Sequence, residues 1–317
     1  MIKFILAATL ASGLTPAHAQ SGYPTKAVRV LVGAPPGSGS DMIMRIISLK
    51  LGERWNRSVV IDNRAGALGA ISLDIAAQAA PDGYTLTTLS GQNLTGMLLK
   101  TVQVNIPQAF TPVVQMVALP YLLVVTPSLP ASSVKELITL AKSRPLVYAS
   151  SGTGSVVHLG MEMFKAMAGV PMTHIPYKGS GQSMVDVMSG RVQLAITNSL
   201  TATPLVRSGR LRALAVTSAR RSATFADLPT IAEAGVPGFE LTSWYGLFAP
   251  AKTPITIVRT INRDVMDVMN SPEMKVKLAA DAAEAAPPNT PEDFRKIITK
   301  EVELWDKFIK TSGIKIE

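Results

Sequence analysis

Two short segments rich in glycine and serine carry the residue types best suited to binding an anion. The first, Ala34-Pro-Pro-Gly-Ser-Gly-Ser-Asp41, lies between a β-branched run and a stretch with helical periodicity. Glycine lets backbone N–H groups approach a ligand, while a helix N-terminus adds partial positive charge. The second, Ser150-Ser-Gly-Thr-Gly-Ser155, repeats this design. Two such loops could hold one anion from both sides, although each alone also fits an ordinary strand–helix turn.

Three further segments place polar groups where strands are expected to end. Tyr177-Lys-Gly-Ser-Gly181 and Thr197-Asn198-Ser199 each follow a strand, and Ser90-Gly-Gln-Asn93 supplies hydroxyl and amide groups. Ligands of open α/β sheets bind outside the carboxyl ends of strands, so these loops are candidate parts of the same site. Lys178 is interpreted as a solvated loop lysine in preference to a ligand contact.

Nucleotide and nucleic-acid binding are not supported by the motifs. Gly37-x-Gly39 lacks the third glycine of a dinucleotide fingerprint, and no Gly-Lys-Ser/Thr follows it. Nucleic-acid binding would need a basic stripe with stacking aromatics, but aromatic residues are 5% of the chain. We therefore interpret the densest basic stretch as a solvated face, formed by Arg207, Arg210, Arg212, Arg220 and Arg221.

Catalytic and metal-binding groups are scarce. His158 is expected on a helix and His174 in a strand, and two isolated histidines without cysteine make no metal site. Ser132-x-x-Lys135 matches one β-lactamase-type signature, but the partner motifs are absent. A binding protein needs only preorganised donors and a hinge, so an exported α/β hydrolase is the less favoured alternative.

The composition excludes further classes of protein. The chain has 317 residues, with 31 lysines and arginines against 22 aspartates and glutamates, for a formal net charge of +9. It has no cysteine, which removes disulfide scaffolds, thiolate metal sites and cysteine nucleophiles. Because 47% of the residues are hydrophobic, the chain can offset its conformational entropy and is not disordered. The positive charge favours anionic partners without choosing among them.

Residues 1–19 have the pattern of a secretory signal peptide. Lys3 gives a positive start, Phe4–Leu14 is an apolar run, and Ala17-His-Ala19 places small residues at the −3 and −1 positions. We expect cleavage before Gln20 and a soluble exported protein in the periplasm. An uncleaved N-terminal anchor is the alternative.

Strand-like and helix-like stretches alternate along the remaining chain. The expected strands are Val28–Val32, Val59–Ile61, Tyr84–Leu89, Tyr121–Val125, Val147–Ser150, Met172–Pro176, Val192–Thr197, Leu211–Thr217 and Leu241–Phe248. The expected helices are Met42–Trp55, Ala67–Ala80, Ser133–Ser143, Val156–Ala168, Gly181–Ser189, Thr256–Asn270, Pro272–Ala283 and Pro291–Thr311. This alternation predicts an α/β fold with a mostly parallel sheet covered by helices on both faces.

Two strands are expected to cross between domains. They are Tyr121–Val125, which is flanked by prolines, and Leu241–Phe248. Two crossings make the first domain discontinuous, with residues 20–121 plus 248–317, and leave residues 122–247 for the second. We expect two lobes that hinge on these strands.

A series of short motifs runs through the chain in a characteristic order. They are Asn63-Arg-Ala-Gly-Ala67, Pro81-Asp-Gly-Tyr-Thr-Leu86, Pro120-Tyr-Leu-Leu-Val-Val125, Ser151-Gly-Thr-Gly-Ser155 with His158-Leu159, Pro176-Tyr-Lys-Gly-Ser180, Leu211-Arg-Ala-Leu-Ala-Val-Thr217, Leu228-Pro-Thr230 with Glu233-Ala-Gly235, Trp244-Tyr-Gly-Leu-Phe-Ala-Pro250, and Trp305. In this order the chain resembles the substrate-binding proteins of tripartite tricarboxylate transporters, the Bug family of periplasmic solute receptors. The resemblance covers essentially the whole mature chain.

The resemblance implies a two-lobed periplasmic binding protein of the type II-like, Venus-flytrap fold. Such a receptor closes on a carboxylate and hands it to membrane permease subunits, without an enzymatic activity, a metal or a cofactor. In the family, backbone N–H groups and hydroxyls of the two glycine–serine loops hold one carboxylate. On this chain those roles fall on Pro36, Gly37, Ser38, Gly39, Ser40 and Asp41 and on Ser151, Gly152, Thr153, Gly154 and Ser155, with His158 behind the second loop. The distal end of the pocket would involve Ser90, Asn93, Tyr177, Gly179 and Asn198.

Three departures from the family pattern bear on the ligand. Ala34 stands where the first loop usually has phenylalanine, which enlarges the expected pocket, and Ser38 replaces a glycine. Thr197 stands where many members have an aspartate suited to a ligand ammonium. We therefore expect a relatively bulky mono- or dicarboxylate without an amino group, aromatic acids included, bound by a monomer. A sensor that presents carboxylates to a signalling partner would use the same pocket, so that alternative stays open.

Overall fold

The protein is described by a computed structural model that covers residues 22–280 and 283–312. The predicted signal peptide at residues 1–19 and its cleavage before Gln20 lie outside the described residues. Within the described ranges, no helix combines the length and the apolar character needed to cross a membrane.

Strands and helices alternate, which confirms the predicted α/β class. The strands are β1 (Val28–Val32), β2 (Val59–Asn63), β3 (Thr85–Ser90), β4 (Phe110–Val125), β5 (Leu146–Ser150), β6 (Met172–Pro176), β7 (Leu194–Asn198), β8 (Arg212–Val216), β9 (Thr242–Pro250) and β10 (Glu284–Ala285). The helices are α1 (Gly39–Trp55), α2 (Ala70–Ala77), α3 (Gly91–Leu98), α4 (Ile106–Ala109), α5 (Val134–Ser143), α6 (Val156–Ala168), α7 (Ser180–Met188), α8 (Ser199–Arg207), α9 (Ile255–Asn270), α10 (Pro272–Ala280) and α11 (Pro291–Ser312). Short 3-10 helices occur at Ala67–Gly69 and Ala223–Phe225.

The sheet is mixed, not mostly parallel as the alternation predicted. Its strand order is β2-β1-β3-β9-β4-β7-β5-β6, with β8 and β10 also paired to β4. The outer pairs β1–β2, β1–β3, β5–β6 and β5–β7 are parallel, as βαβ units require. The strands β4 and β9 are antiparallel to each other and to their neighbours, and they join the two parallel parts.

Strand β4 is much longer than the predicted strand Tyr121–Val125, which is its last segment. From Phe110 to Pro120 it pairs with β9, and from Tyr121 to Val125 it pairs with β7 and β8. Proline has no N–H for the ladder and is tolerated at irregular positions. The register of β4 against β9 shifts just after Pro112, so a proline-containing run that reads as broken in sequence continues as one strand.

The buried apolar side chains form two groups of clusters. The first group comes from residues 28–119 and 244–298. The second comes from residues 121–241, with Trp305 added from the far end of the chain. The change from one group to the other along β4 falls between Leu119 and Tyr121, where its ladder passes from β9 to β7 and β8.

Helix α11 contacts both groups of clusters. Phe294 and Ile298, in its first half, are buried in the first group, whereas Trp305 is buried in the second. Between them, Glu301 accepts a hydrogen bond from the indole of Trp244 on β9 and another from Trp305 at 3.4 Å. The helix therefore links the two halves of the molecule at a third place, besides β4 and β9.

Candidate functional site

A cleft of about 910 Å³ lies at the carboxyl ends of β1, β3, β5, β6 and β7. Residues 33–93 and Tyr245 line one side, and residues 151–207 line the other. This is the edge at which open α/β sheets bind ligands. The predicted site residues found on the lining are Gly37, Ser38, Gly39, Ser40, Ser90, Asn93, Ser151, Gly179 and Asn198.

Four helices begin at this cleft. The N-cap residues of α1, α3, α7 and α8 all lie on the lining: Ser38, Ser90, Gly179 and Asn198. The first N–H groups of a helix have no acceptor within the helix, and the macrodipole adds partial positive charge at that end. Four such ends around one cleft favour a negatively charged ligand that accepts several hydrogen bonds.

Asp41 holds the first loop from behind. Asp41 is buried, with 1% of its surface exposed. Its Oδ2 accepts hydrogen bonds from the Gly37 N–H at 2.8 Å and Arg45 Nε at 2.9 Å, and its Oδ1 accepts one from Asn63 Nδ2 at 2.9 Å. Burial raises the pKa of Asp41, but the hydrogen bonds from Arg45 and Gly37 outweigh it and hold the pKa below its ordinary value. The carboxylate is charged and already paired, so its role is to fix the turn.

Because of this arrangement, α1 starts earlier than the sequence predicted. The helix begins at Gly39, three residues before the predicted start at Met42, with Ser38 as its N-cap in an extended conformation. Asp41 turns inward to bond Gly37 instead of capping the helix. Pro36 is exposed in the same turn.

Asn93 joins the start of α3 to the neighbouring 66–69 loop. Its Oδ1 accepts a hydrogen bond from the Ser90 N–H at 2.8 Å, and its Nδ2 donates to the Leu68 carbonyl at 2.7 Å. A Cβ on Gly69 would come within 2.9 Å of that Nδ2, and Gly69 has a φ of +87°, so glycine is needed there. Asn93 thus supports the cleft wall more than it offers free donors.

The second loop is held largely by its own hydrogen bonds. Ser151 lies on the cleft lining. The Gly152 N–H donates to Ser150 Oγ at 3.1 Å, and the Gly154 N–H donates to His158 Nδ1 at 3.0 Å. Two of the amide donors expected to bind a carboxylate are therefore engaged inside the loop.

Ser155 is the N-cap of α6, behind the same loop. Its hydroxyl accepts a hydrogen bond from the His158 N–H at 3.3 Å and donates to the Gly152 carbonyl at 2.7 Å. Thr153 is half-buried. From this loop we retain Ser151 in the site proposed below.

His158 and His174 form a stacked pair beneath the second loop, with ring centroids 3.9 Å apart and an interplanar angle of 16°. His174 Nε2 lies 2.7 Å from Ser150 Oγ. Burial lowers the pKa of both imidazoles, and for His174 burial and the neighbouring His158 bring the pKa to about 4. Both rings are neutral near pH 7 and brace the loop.

The third and fourth loops contribute differently. The Tyr177 hydroxyl donates to Asp186 Oδ2 at 2.6 Å, and burial together with Asp186 raises the pKa of Tyr177 to about 12. The next residues, Lys178 and Gly179, lie on the lining. At the start of α8, Asn198 Oδ1 accepts the Thr201 N–H at 2.8 Å as a side-chain cap.

Two cations and no acidic side chain occur among the described residues that line the cleft. The cations are Lys178 and Arg207. Both side chains are exposed, as interpreted from sequence, and both also lie on the cleft lining. Arg207 reaches the lining through its helix. It is the last residue of α8, seven positions after Leu200, which also lines the cleft. A predicted helix over Ser199–Arg207 would have placed Arg207 on the same face as Leu200, but α8 was not predicted.

The other arginines of the basic stretch do not act together. Arg212 donates to the Leu129 and Ala131 carbonyls at 3.2 and 3.1 Å. Arg221 pairs with Glu233 at 2.9 Å. Arg212 and Arg221 thus have local partners, whereas Arg210 and Arg220 are exposed, as the interpretation of a solvated stretch expects.

The floor of the cleft is tightly packed around Gly39. A Cβ at Gly39 would lie 2.9 Å from the Tyr245 hydroxyl and 3.0 Å from Leu200 Cδ1. Tyr245 belongs to β9 and Leu200 to α8, so three elements meet at one glycine. Sequence reasoning did not place Tyr245, Leu200 or Met42 on the lining, because apolar and aromatic residues there give no polar signal.

Among the residues that the structure describes, one serine–histidine contact has the geometry of a nucleophile–base pair. Ser150 Oγ and His174 Nε2 are 2.7 Å apart, but Ser150 is 1% exposed and its hydroxyl also contacts Gly152 within the loop. In residues 22–280 and 283–312, no three histidine, aspartate or glutamate side chains are grouped so that they could hold a metal ion.

Comparison with known proteins decides the family. The family model described as tripartite tricarboxylate transporter family receptor matches residues 43–314. The chain belongs to this family. The resemblance predicted from the sequence motifs is thereby confirmed. This receptor is 34% identical to Protein BugT of Bordetella pertussis over 302 residues. The matched region covers 93% of this chain and 92% of BugT.

Solved structures agree with the predicted fold class. A protein of R. palustris solved with adipate is 39% identical to the receptor, with a TM-score of 0.82, covering 92% of this chain and 99% of that one. The periplasmic binding protein BugD is 28% identical, with a TM-score of 0.79, covering 93% and 100%. The two-lobed periplasmic binding protein fold is therefore confirmed.

Proposed function

We propose that this receptor binds a small carboxylate in the cleft and delivers it to the membrane permease subunits of a tripartite tricarboxylate-type transporter. The observation that carries the proposal is the convergence of four helix N-termini on one cleft, with Ser38, Ser90, Gly179 and Asn198 at their N-cap positions. An anion there receives hydrogen bonds from backbone and hydroxyl donors without a buried counter-charge. Ser151 adds a further hydroxyl from the second loop.

The ligand is a mono- or dicarboxylate without an amino group, aromatic acids included. Among the described lining residues the charged side chains are Lys178 and Arg207, so a ligand ammonium would meet cations and no carboxylate. Thr197, just before the lining residue Asn198, provides a buried hydroxyl and no charge. Ala34 presents a small side chain to the cleft. The relative from R. palustris solved with adipate supports the same ligand class.

The two lobes comprise residues 20–121 plus 248–317 and residues 122–247. Support comes from the separation of the buried side chains into two groups and from β4 and β9, which run between them. Closure of the lobes over the ligand is a hinge motion about these strands. The N-terminal sequence pattern and the likeness to BugD support a protein of the periplasm, cleaved before Gln20.

Calorimetric titration with matched ligands tests this function. We expect binding of succinate-, adipate- and benzoate-type acids, and much weaker binding of aspartate and glutamate, which differ by an ammonium group. Binding restricted to amino acids would contradict the proposed ligand class. Absence of binding to every carboxylate would contradict the function itself.

A cleft-filling variant tests the location. A Cβ at Gly181 meets no atom within 4 Å, so Gly181→Trp puts an indole into the cleft without disturbing the core. We expect loss of ligand binding and of the ligand-induced compaction in small-angle scattering. Ser208→Trp, on the exposed residue that follows α8, is the control and should bind normally. Unchanged binding by the Gly181 variant would place the site elsewhere.

A further inference from the structure

One face of helix α8 forms a wall of the cleft along the helix's whole length. Leu200, Thr203, Pro204 and Arg207 lie on the lining, at the three- and four-residue spacing of a single helical face. A helix rises about 1.5 Å per residue, so Arg207 lies about 12 Å along the axis from Ser199, the first residue of α8. The two ends of the wall are far enough apart to contact two different groups of one ligand.

The chemistry changes along this wall. At its start, next to Asn198, the helix offers N-terminal backbone donors and partial positive charge. Further along, Leu200 and Pro204 present apolar surface, and Met42 of α1, 42% exposed, adds more from the other side of the cleft. Thr201 and Thr203 also lie on this wall, and the Thr203 hydroxyl donates to the Ser199 carbonyl at 2.6 Å. At its far end lies the guanidinium of Arg207. The order is therefore anion donors, an apolar stretch, and a cation.

Arg207 has no ion-pair partner among residues 22–280 and 283–312, and it is exposed to the cleft. This distinguishes it from Arg212 and Arg221, whose guanidinium groups are engaged by carbonyls and by Glu233. A guanidinium binds a carboxylate through two parallel hydrogen bonds, and its charge does not depend on pH in the ordinary range. An unpaired arginine facing an anion site is suited to a second anionic group.

We propose that Arg207 is a specificity-determining residue that binds the distal carboxylate of an extended α,ω-dicarboxylate. The first carboxylate lies at the helix N-termini, the methylene chain lies along Leu200 and Pro204, and the second carboxylate meets Arg207. Lys178, the other lining cation, adds positive charge to the cleft. The inference rests on the proposed function, because it needs the first carboxylate at the N-termini. It predicts that diacids with a longer chain are bound better than succinate.

The test compares each diacid with its own half-ester. Adipate and suberate are titrated against monomethyl adipate and monomethyl suberate, which keep one carboxylate and the chain length but lose the distal charge. The variants are Arg207→Gln, which removes the charge, and Arg207→Lys, which keeps it. Arg210→Gln is the matched control, because Arg210 is exposed three residues further on and is outside the cleft lining.

The wild type should prefer the better diacid over its half-ester by about tenfold, equivalent to about 1.4 kcal/mol. Arg207→Gln should reduce this preference to about twofold or less and leave the half-ester affinity unchanged; Arg207→Lys should retain part of it. Arg210→Gln should match the wild type. The wild-type preference should also fall with added salt, since screening weakens an exposed charge pair.

Several results would overturn the inference. The same preference in Arg207→Gln as in the wild type would remove Arg207 from ligand recognition. Half-esters bound as tightly as diacids by the wild type would show that no second anionic contact exists, while the proposed carboxylate function would stand. A receptor that binds none of the mono- or dicarboxylates would lose both the function and the inference.

Discussion

The indole N–H of Trp244 on β9 donates a hydrogen bond to the carboxylate of Glu301 on α11. Trp305, one turn later on the same helix, donates a second one at 3.4 Å. Burial raises the pKa of Glu301 to about 7, and the two indole hydrogen bonds offset only part of that effect. A carboxyl group that titrates near neutrality is thus placed between the strand that joins the lobes and the helix that spans them.

Glu301 should make the stability of the receptor depend on pH near neutrality. Because its folded-state pKa lies above the ordinary value of 4.5, the folded state holds the proton more tightly, and stability falls as pH rises from 4.5 through 7. Each pKa unit corresponds to about 1.4 kcal/mol, so the free energy of unfolding of the wild type should fall by an amount on the order of 2 kcal/mol between about pH 5 and 8 because of Glu301. In Glu301→Gln this decrease should be absent. Urea denaturation at several pH values measures it.

The control for this prediction is Glu303→Gln, on an exposed residue of the same helix. It should leave the pH profile of the wild type unchanged. If the Glu301 variant and the wild type lose stability in parallel above pH 6, Glu301 does not titrate in this range.

The buried histidine pair should act in the opposite sense and at lower pH. The pKa of His174, lowered to about 4 by burial and by His158, lies below its ordinary 6.5, so the unfolded chain binds the proton more tightly. The stability that neutral His174 contributes is complete above about pH 6.5 and is lost as pH falls toward 4. His174→Gln should flatten this part of the urea-denaturation profile. Above pH 7 the two profiles should run parallel, and a parallel course below pH 6 as well would refute the assignment.

A side chain at Gly39 should destabilise the floor of the cleft. A Cβ there would press on the Tyr245 hydroxyl at 2.9 Å and on Leu200 Cδ1 at 3.0 Å. Overpacking of this kind costs about 1–3 kcal/mol, so Gly39→Ala should lower both thermal stability and carboxylate affinity. The double variant Gly39→Ala/Tyr245→Phe should recover part of the loss. Gly181→Ala is the control, because that glycine also lines the cleft but has open space at its Cβ. Equal effects at both positions would contradict the packing argument.

Asp41 should matter through the shape of the first loop. Asp41→Asn replaces a carboxylate that bonds Gly37, Arg45 and Asn63, and it leaves a buried amide facing the Asn63 donor. Loss of a buried, charged hydrogen-bond acceptor costs about 1–3 kcal/mol, and carboxylate affinity should fall with it. Calorimetry and urea denaturation measure both effects.

Asp306→Asn provides the comparison for Asp41. It breaks an exposed pair with Lys310 at 2.7 Å, which should cost less than about 1 kcal/mol and leave ligand binding unchanged. Ligand affinity unaffected by Asp41→Asn would show that the loop keeps its shape without the carboxylate.

Periodic segments with strong end signals were predictable from sequence. Helix Val156–Ala168 and strand Met172–Pro176 occur with the predicted bounds, because a serine cap and a left-handed Gly169 delimit the helix. Helix α5 follows Ser133-x-x-Glu136, the sequence pattern of a capping box, but only half of that box forms. The Ser133 hydroxyl accepts the Glu136 N–H at 3.2 Å, but the Glu136 carboxylate bonds the residue before the cap, Ser132.

Helices α3 and α8 were not predicted, and both matter for the cleft. The first begins with glycine and contains Gly96, and the second carries threonines and Pro204 within nine residues. These residue types favour turns or disfavour helix interiors, and tertiary packing outweighs them here. Because α8 was not predicted, Arg207 could not be assigned to a helical face, and its position on the cleft lining was not predicted either.

The polar half of the cleft was easier to predict than the apolar half. Glycine, serine and asparagine at strand ends signal turns and caps, so the sequence could indicate Ser38, Ser90, Gly179 and Asn198, which line the cleft. Which amide donors remain free depends on hydrogen bonds between residues far apart in sequence, such as His174 with Ser150. Local sequence patterns do not contain that information. They therefore did not indicate that the Gly152 and Gly154 N–H groups are bonded within the second loop and its supporting helix.

The packing of α11 restricts how the lobes can move. A helix of 22 residues is a rod about 33 Å long, and it is held near one end by Phe294 and Ile298 and near the other by Trp305. With two strands and one rod joining the lobes, swinging motions that separate the ends of the rod are resisted. Twisting about an axis close to the rod keeps all three connections intact, so the hinge motion about β4 and β9 is expected to turn about an axis close to α11.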